Sequence, residues 1–313
     1  MHLSELGEFG LLAELERNGL AYGIGDDAAV FADGVVVTQD LLVEEVHFRL
    51  DWTSWRDLGY KAGAVNLSDL AAMGAEPAGL LVAFAAPPTT DVADVFELYR
   101  GLGETGFPVV GGDTNAAETV SVSVTAVGHT ERVAGRAGAL PGDALVVTGP
   151  LGGAAAGLYV LEHALEGFEE LVRLHRRPPF RLDAARALAP LAHALIDLSD
   201  GIASDAARIA ERSGCRLVID VERLPLAEGL AEVADAPFWT FGEDYELLAA
   251  LAPTDAEASG FAVVGRCEPG SGVELRSDGR PLDVAGWDHF RPGADAIPRG
   301  RGRRRTPGAR RTA

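Results

Sequence analysis

The stretch TSWRDLGYKAGAVNLSDLAAMG, residues 53–74, carries the clearest structural pattern in the chain. Its apolar residues recur three to five residues apart, at a helical spacing that places them on one side: Leu58, Ala62, Val65, Leu70 and Met73. Ser54 is a suitable N-cap, and Gly74 is a suitable helix stop. The stretch therefore predicts a helix that buries one side.

The segments on both sides of this helix alternate between strand and helix patterns. Residues 119–128 alternate valine or alanine with serine or threonine, which is typical of a half-buried strand. Further strands are predicted at 79–85, 144–148, 194–197, 216–221, 246–251 and 261–266, and further helices at 91–102, 152–165 and 201–213. The mixture predicts an α/β or α+β fold.

A loop at residues 135–143 separates two sets of these elements. We therefore predict an N-terminal α/β domain over residues 1–137 and a C-terminal α/β domain over residues 138–292. The remaining residues, 293–313, are rich in Gly, Pro and Arg, and we predict a disordered tail there.

Composition excludes several classes of protein. The N-terminus is acidic, so we expect no secretory signal, and no apolar run approaches the ~18 residues that a membrane span needs. The two cysteines, Cys215 and Cys267, lack a metal-binding spacing. A soluble protein of the reducing cytoplasm is the simplest interpretation.

Charge is distributed unevenly along the chain. The formal net charge is −20, yet the last fifteen residues contain seven arginines, so residues 1–298 carry about −27. A body this acidic repels nucleic acid. The tail is either irrelevant to catalysis or a weak contact for RNA or another anionic surface, and a salt-sensitive binding assay would separate the two.

The familiar lysine-based phosphate sites are absent. Lys61 is the one lysine in the chain, so neither a G-x-x-x-x-G-K-[ST] loop nor the strand lysine of protein kinases is present. The match to G-x-G-x-x-G at residues 101–106 follows a predicted helix, and we interpret it as the turn that ends that helix. Lys61 itself could assist phosphate binding or pair with a carboxylate on its helix.

Aspartates next to glycines or at predicted strand ends are the chemically distinctive feature. They occur in the stretches 25–27, 38–40, 66–69, 111–114 and 197–201. Any one of them could simply form a turn or cap a helix. If several converge, they form an oxygen cage of the kind that Mg²⁺ prefers, and phosphoryl transfer needs little besides such metals and good alignment.

Five motifs, in this order, resemble those of the thiamine-monophosphate kinase family: GIGDDAA (23–29), NLSDLAAMGA (66–75), GGDT (111–114), IDLSDG (196–201) and GEDYEL (242–247). The resemblance covers roughly residues 5–290. It implies the two-domain fold of the wider superfamily of aminoimidazole-ribonucleotide synthetase-like ATP-binding proteins. It also implies a homodimer whose N-terminal sheets pair, with ATP near the domain junction.

The resemblance also implies roles for individual residues. Metal positions fall on Asp27, Thr38, Gln39, Asp40, Asp69, Asp113, Asp197 and Asp200. Contacts to ATP fall on Gly112, Asp113, Arg136 and Ser199, and contacts to the second substrate on His47, Glu243 and Trp287. Of these, Asp200 and Arg136 are the expected catalytic residues. Two positions depart from the family pattern, namely Gln39, where Ser or Thr is usual, and Phe241, where Gly is usual.

The reaction that the resemblance implies is transfer of the γ-phosphate of ATP to thiamine monophosphate, assisted by Mg²⁺. Selenophosphate synthetases and hydrogenase-maturation dehydratases are alternatives within the superfamily, but they use a terminal Cys or selenocysteine that this chain lacks. A non-catalytic module that binds metal or nucleotide is an alternative from a different class.

Overall fold

A computed structural model describes residues 2–282. The strands are β1 (Ala29–Val30), β2 (Val35–Val43), β3 (Glu76–Ala86), β4 (Val109–Ala116), β5 (Ser121–His129), β6 (Ala144–Val147), β7 (Ala194–Asp197), β8 (Arg216–Asp220), β9 (Leu247–Leu251), β10 (Ala262–Glu268), β11 (Gly272–Ser277) and β12 (Arg280–Leu282). The helices are α1 (Leu3–Leu6), α2 (Glu8–Arg17), α3 (Trp55–Ala72), α4 (Val92–Gly103), α5 (Gly153–His163), α6 (Glu169–Arg176), α7 (Leu182–Leu188), α8 (Ile202–Ser213), α9 (Leu230–Val233) and α10 (Pro253–Ser259). The predicted mixed α and β fold is confirmed.

The strands form two separate sheets. The first has five strands in the order β1-β2-β5-β3-β4, and its neighbours are antiparallel except for β3 and β4. The second has seven strands in the order β12-β11-β8-β10-β6-β9-β7, and its neighbours are antiparallel except for β8 and β11. The first sheet uses strands up to residue 129, and the second begins at residue 144. The domain boundary near residue 138 stays a prediction.

The helix α3 packs on the first sheet and continues toward the second. Ser54 caps it by accepting a hydrogen bond from the Asp57 backbone N–H, 3.1 Å away, and Gly74 follows its end with φ +65°, as the sequence predicts. Leu58 and Leu67 lie in the core of the first sheet, whereas Ala71 and Ala72 pack with residues of the second sheet. This helix therefore connects the two cores.

Helices cover both faces of the second sheet. One face packs on α8 through Ile202, Ala206 and Ile209, and the other packs on α7 and α10. The helices α5, α6 and α9 form a further apolar cluster around Phe238 and Leu171. Among residues 2–282, no helix is both long enough and apolar enough to cross a membrane.

Candidate active site

Three carboxylates from different parts of the fold converge at the junction of the two sheets. Asp27 lies in the turn before β1, Asp69 lies near the end of α3, and Asp197 is the last residue of β7. Each offers one oxygen, and these oxygens all lie within 4.8 Å of one another. The Asp197 residue is 1% exposed and the Asp27 side chain likewise 1%. Three of the aspartates that the sequence singles out therefore do converge.

Neighbouring side chains orient the three carboxylates. The Thr38 hydroxyl donates to Asp69 Oδ2 over 2.5 Å, and the Ser68 hydroxyl donates to Asp197 Oδ2 over 2.7 Å. Arg136 donates to Asp27 Oδ1 over 2.5 Å. In contrast, Asp27 Oδ2 is buried and has no hydrogen-bond partner among the described residues. The desolvation of such an oxygen is costly unless a proton, a cation or another ligand compensates it.

Burial raises the pKa of all three carboxyls, and repulsion from neighbouring carboxylates adds to the effect. Burial is the largest cause for each of them. The charges of Asp40 and Asp197 raise the pKa of Asp69 further, and the charge of Asp27 does the same for Asp197. For Asp27, the Arg136 guanidinium partly offsets the effect of burial. Such crowding favours entry of a cation, and oxygen donors at this spacing fit Mg²⁺.

The strand β2 presents alternate side chains to opposite sides of the first sheet. Thr38 is buried and faces Asp69, whereas Gln39 is exposed and donates to Ser123 Oγ over 3.0 Å. Asp40 lies close enough to Asp69 to raise its pKa. Asp40 lies inside β2, so the expectation of a strand end was wrong for this position, whereas Asp113 lies next to Gly112, as the sequence shows, within β4.

Asp200 is paired with an arginine that the motifs did not identify. Arg208 on α8 donates to Asp200 Oδ2, and the Asp200 backbone N–H donates to Asp205 Oδ2 over 3.1 Å. Asp205 is 1% exposed, and burial followed by the charge of Asp200 raises its pKa well above the usual range. The charge of Arg208 also lowers the pKa of Asp27. The guanidinium groups of Arg136 and Arg208 thus lie beside two of the predicted metal positions, Asp27 and Asp200.

A second group of residues surrounds Glu243. Lys61 lies on α3 and is 1% exposed, and its Nζ is 2.9 Å from Glu243 Oε1. The expected pairing of Lys61 with a carboxylate of its own helix is therefore wrong, since its partner is 182 residues away. His175 on α6 lies on the other side, with Nδ1 3.4 Å from Glu243 Oε2. Burial alone would raise the pKa of Glu243, but Lys61 and His175 lower it well below its usual range.

Backbone hydrogen bonds connect the loop that carries Glu243 to the segment that follows Asp197. The Glu243 N–H donates to the Ser199 carbonyl over 2.8 Å, and the Tyr245 N–H donates to the Leu198 carbonyl over 2.9 Å. A Cβ at Gly242 would lie 1.8 Å from the Ser199 carbonyl oxygen, so only glycine permits this close approach. The predicted ATP-contact residue Ser199 therefore lies against the loop that carries Glu243.

Family models match both halves of the chain. Residues 25–130 match "AIR synthase related protein, N-terminal domain", and residues 141–276 match "AIR synthase related protein, C-terminal domain". A thiamine-monophosphate kinase of Aquifex aeolicus is 35% identical over 311 residues, which are 93% of this chain and 100% of that protein. One from Mycobacterium tuberculosis is 37% identical, with 92% of this chain and 93% of that protein aligned.

This chain belongs to the thiamine-monophosphate kinase family.

Solved structures of the thiamine-monophosphate kinase family agree with this assignment. A structure described as AaThiL complexed with AMPPCP and TMP has a TM-score of 0.86 and 35% identity, covering 93% of this chain and 99% of that one. Escherichia coli HypE, a hydrogenase maturation protein, has a TM-score of 0.70 at 21% identity, covering 93% and 99% of the two chains. The likeness to HypE shows a shared fold and nothing more.

Two residues that the kinase family motifs single out are not among the three convergent carboxylates. Gly112 and Asp113 are on β4, the exposed edge strand of the first sheet, where Asn115 donates to Asp113 Oδ2 over 2.8 Å. Their roles stay predictions, as do the roles of Gln39, Ser199, Asp200 and Arg136. Trp287 and the arginine-rich tail lie outside the described residues.

Phe241, the second residue that departs from the kinase family pattern, lies in an apolar environment. Phe241 is half-buried and packs on the apolar cluster formed by α5, α6 and α9. A cavity of about 450 Å³ opens beside α5 and α6, lined by residues that include Phe168, Val172 and Arg176. None of the three convergent carboxylates lines this cavity, so it is separate from the candidate active site.

Proposed function

We propose that this chain transfers the γ-phosphate of ATP to thiamine monophosphate and forms thiamine diphosphate and ADP. The observation that carries the proposal is the convergence of Asp27, Asp69 and Asp197 in a chain of this kinase family. The relative named as a complex with AMPPCP and TMP holds an ATP analogue and TMP together, which supports both substrates for this chain. The chain is then an ATP-dependent enzyme of this family.

The metal that we propose is Mg²⁺, held by Asp27, Asp69 and Asp197, with Asp40 beside them. When bound, it would neutralise phosphate charge and align the reacting oxygens. Asp27 Oδ2, which has no hydrogen-bond partner within residues 2–282, and the raised pKa values of Asp27 and Asp69 support a cation in this place. Arg136 is held against Asp27 by a 2.5 Å hydrogen bond, which keeps a guanidinium next to the carboxylates where it can contact a phosphate.

No general base is required in the proposed reaction. The nucleophile is a phosphate oxygen of thiamine monophosphate, and a phosphate monoester has a second pKa of about 6, so it is largely dianionic near neutral pH. The main obstacle is repulsion between two polyanions. Positive charge and alignment at the junction of the two sheets would overcome that repulsion.

Two further proposals concern the oligomeric state and the cellular location of the enzyme. We propose a homodimer, because the β4 edge of the first sheet is exposed and its backbone groups are available to another strand. We also propose a cytoplasmic location, which agrees with two buried cysteines that are both free thiols.

The direct test measures ADP release from Mg²⁺-ATP with thiamine monophosphate, thiamine or no acceptor. We expect ADP release only when thiamine monophosphate is the acceptor. Asp69→Asn should abolish that turnover, whereas the matched change Asp51→Asn, at a side chain that is 80% exposed, should leave it unchanged.

Nucleotide binding without turnover on thiamine monophosphate or thiamine would contradict the proposal and favour a non-catalytic module. Equal activity of the Asp69→Asn and Asp51→Asn variants would contradict the role of the carboxylate group.

A further inference from the structure

Lys61 connects two residues that the family resemblance assigns to the second substrate. Its Nζ is 2.9 Å from Glu243 Oε1 and 3.5 Å from the backbone carbonyl of His47. His47 follows β2 in the N-terminal half of the chain, whereas Glu243 belongs to a loop of the C-terminal half. One ammonium group therefore contacts both sides of the expected acceptor pocket.

Protein stability alone does not explain why the Lys61 ammonium is buried here. Lys61 is 1% exposed, and removing such a charge from water costs several kcal/mol by general estimates, at least about as much as pairing returns. A leucine or methionine on this face of α3 would pack without that cost. The structure nevertheless uses the chain's one lysine here.

The Glu243 carboxylate contacts two buried side chains, and the Glu243 side chain is still partly exposed to solvent. Lys61 contacts Oε1, and the 4% exposed His175 lies against Oε2, yet the Glu243 side chain retains 30% exposure. Burial first, and then the charge of Lys61, lowers the pKa of His175, which favours the neutral imidazole. Lys61 thus supplies the compensating charge, while the open side of the carboxylate remains available to a ligand.

The backbone of the loop that carries Glu243 is constrained by its own geometry. The orientation of the Glu243 side chain therefore depends on the residues that contact it. Glu243 has φ +68°, a region that non-glycine residues seldom occupy, and its N–H is bonded to the Ser199 carbonyl. Lys61 and His175 contact the end of this side chain and restrict its rotamers. A carboxylate that is oriented before the ligand arrives binds with a smaller entropic loss.

We propose that Lys61 is a positioning residue for the acceptor pocket, because its buried ammonium fixes the Glu243 carboxylate relative to the His47 segment across the domain junction. This inference rests on the proposed function. The paired Lys61 and Glu243 have no net charge together, so the open carboxylate acts as a hydrogen-bond acceptor for the amino group of an aminopyrimidine. Lys61 is expected to have no contact with the nucleotide.

The test compares wild type, Glu243→Gln, Lys61→Met and the double variant Lys61→Met/Glu243→Gln. Dissociation constants for thiamine monophosphate and for a non-hydrolysable ATP analogue are measured by calorimetry, and thermal midpoints are recorded. The exposed change Arg186→Met serves as the control for loss of a cation. Steady-state kinetics supply KM and kcat for the acceptor.

We expect Lys61→Met to weaken acceptor binding at least about tenfold, with a matching rise in the acceptor KM, while binding of the ATP analogue changes less than about twofold. The lone Glu243 carboxylate should also lower the thermal midpoint. The double variant should recover that midpoint, because no uncompensated charge remains, but it should bind the acceptor several-fold more weakly than Glu243→Gln.

Other outcomes overturn the inference. If the double variant and Glu243→Gln bind the acceptor equally, Lys61 only compensates charge. If Lys61→Met weakens the ATP analogue as much as the acceptor, Lys61 belongs to the nucleotide site. Glu243→Gln leaves the Lys61 ammonium without its carboxylate partner and should also lower the thermal midpoint, so the acceptor affinities are compared below the midpoints of both variants. Because the double variant leaves no lone buried charge, this comparison decides the matter even if Lys61→Met does not fold.

The two proposals fail in different ways. Wild-type protein that binds the ATP analogue but not thiamine monophosphate overturns the proposed function and this inference with it. Wild-type protein that is an active kinase, with acceptor affinity unchanged in both Lys61 variants, overturns this inference alone.

Discussion

The Ser68 hydroxyl on α3 donates a hydrogen bond to Asp197 Oδ2 at the end of β7, over 2.7 Å. Both residues are buried, and they belong to different halves of the chain. This bond therefore fixes the distance between the helix that carries Asp69 and the strand that carries Asp197. The geometry of the proposed Mg²⁺ site depends on that distance.

Replacing Ser68 with alanine should weaken the metal site without changing any proposed ligand. We expect Mg²⁺ affinity to fall about 10- to 100-fold, as is usual when the hydrogen-bond partner of a ligand is lost. The unfolding free energy should fall by about 1–3 kcal/mol, because a buried carboxylate loses its donor. Calorimetric titration with Mg²⁺ measures the first effect, with the exposed Ser271→Ala as control. Unchanged Mg²⁺ affinity in folded Ser68→Ala would contradict this role.

Mg²⁺ binding should release protons. The pKa values of Asp69 and Asp197 are raised well above the usual range, first by burial and then by neighbouring carboxylates, so the metal-free site retains protons that a cation must displace. The affinity for Mg²⁺ should therefore rise with pH. Calorimetry in buffers of different ionisation enthalpy gives the number of protons released. Asp69→Asn should release fewer, and a pH-independent affinity with no proton release would refute the prediction.

Asp244 should make the metal-free protein less stable as pH rises. Its carboxylate accepts a hydrogen bond from the Gly152 N–H before α5, and burial, followed by the charges of Glu246 and Glu243, raises its pKa from 3.8 to about 8. Between these values the folded chain holds a proton that the unfolded chain has released. The free energy of unfolding then decreases by up to about 1.4 kcal/mol per pH unit and levels off above pH 8.

The isosteric change Asp244→Asn isolates this contribution, since asparagine keeps the shape and removes the titration. Urea unfolding with chelator, at a series of pH values, should show a shallower slope for Asp244→Asn than for wild type. Parallel slopes for the two proteins would mean that Asp244 is ionised in the folded chain throughout this range.

Two arginine–glutamate pairs of similar geometry should differ greatly in their importance. Arg181 donates two hydrogen bonds to Glu246, whose side chain is 2% exposed, and Arg186 donates two to Glu76, whose side chain is 58% exposed. Arg181→Met leaves a buried carboxylate uncompensated and should cost about 3–5 kcal/mol. Arg186→Met should cost less than about 1 kcal/mol, because water solvates Glu76. Denaturant unfolding of both variants tests the difference, and equal costs would contradict it.

Local patterns in the sequence predicted the elements whose residues determine their own structure. The helix at 53–74 has its cap and its stop within one continuous stretch, and β5 has its alternation. The prediction that this helix buries only one side was wrong, because both cores pack against it. The short helices α6 and α7 were not predicted. Their apolar residues, such as Leu171 and Leu188, find their partners in distant segments, and eight or fewer residues give too little periodicity.

The candidate site was predictable in part for a related reason. Motif order indicated that Asp27, Asp69 and Asp197 belong together, because the family resemblance supplied long-range information that spacing alone does not contain. Arg208, Asp205 and His175 were missed, since each is an ordinary helix residue in the sequence and acquires its role through tertiary contact. The pairing of Lys61 with Glu243 spans 182 residues and could not be read from local pattern.

The burial of Lys61 also determines how the protein reacts with chemical labels. Since the chain has a single lysine and that side chain is 1% exposed, acylating reagents should leave this amine unmodified while the protein is folded. An acyl group found on Lys61 by mass spectrometry of proteolytic fragments would therefore report that the contact between α3 and the Glu243 loop had opened.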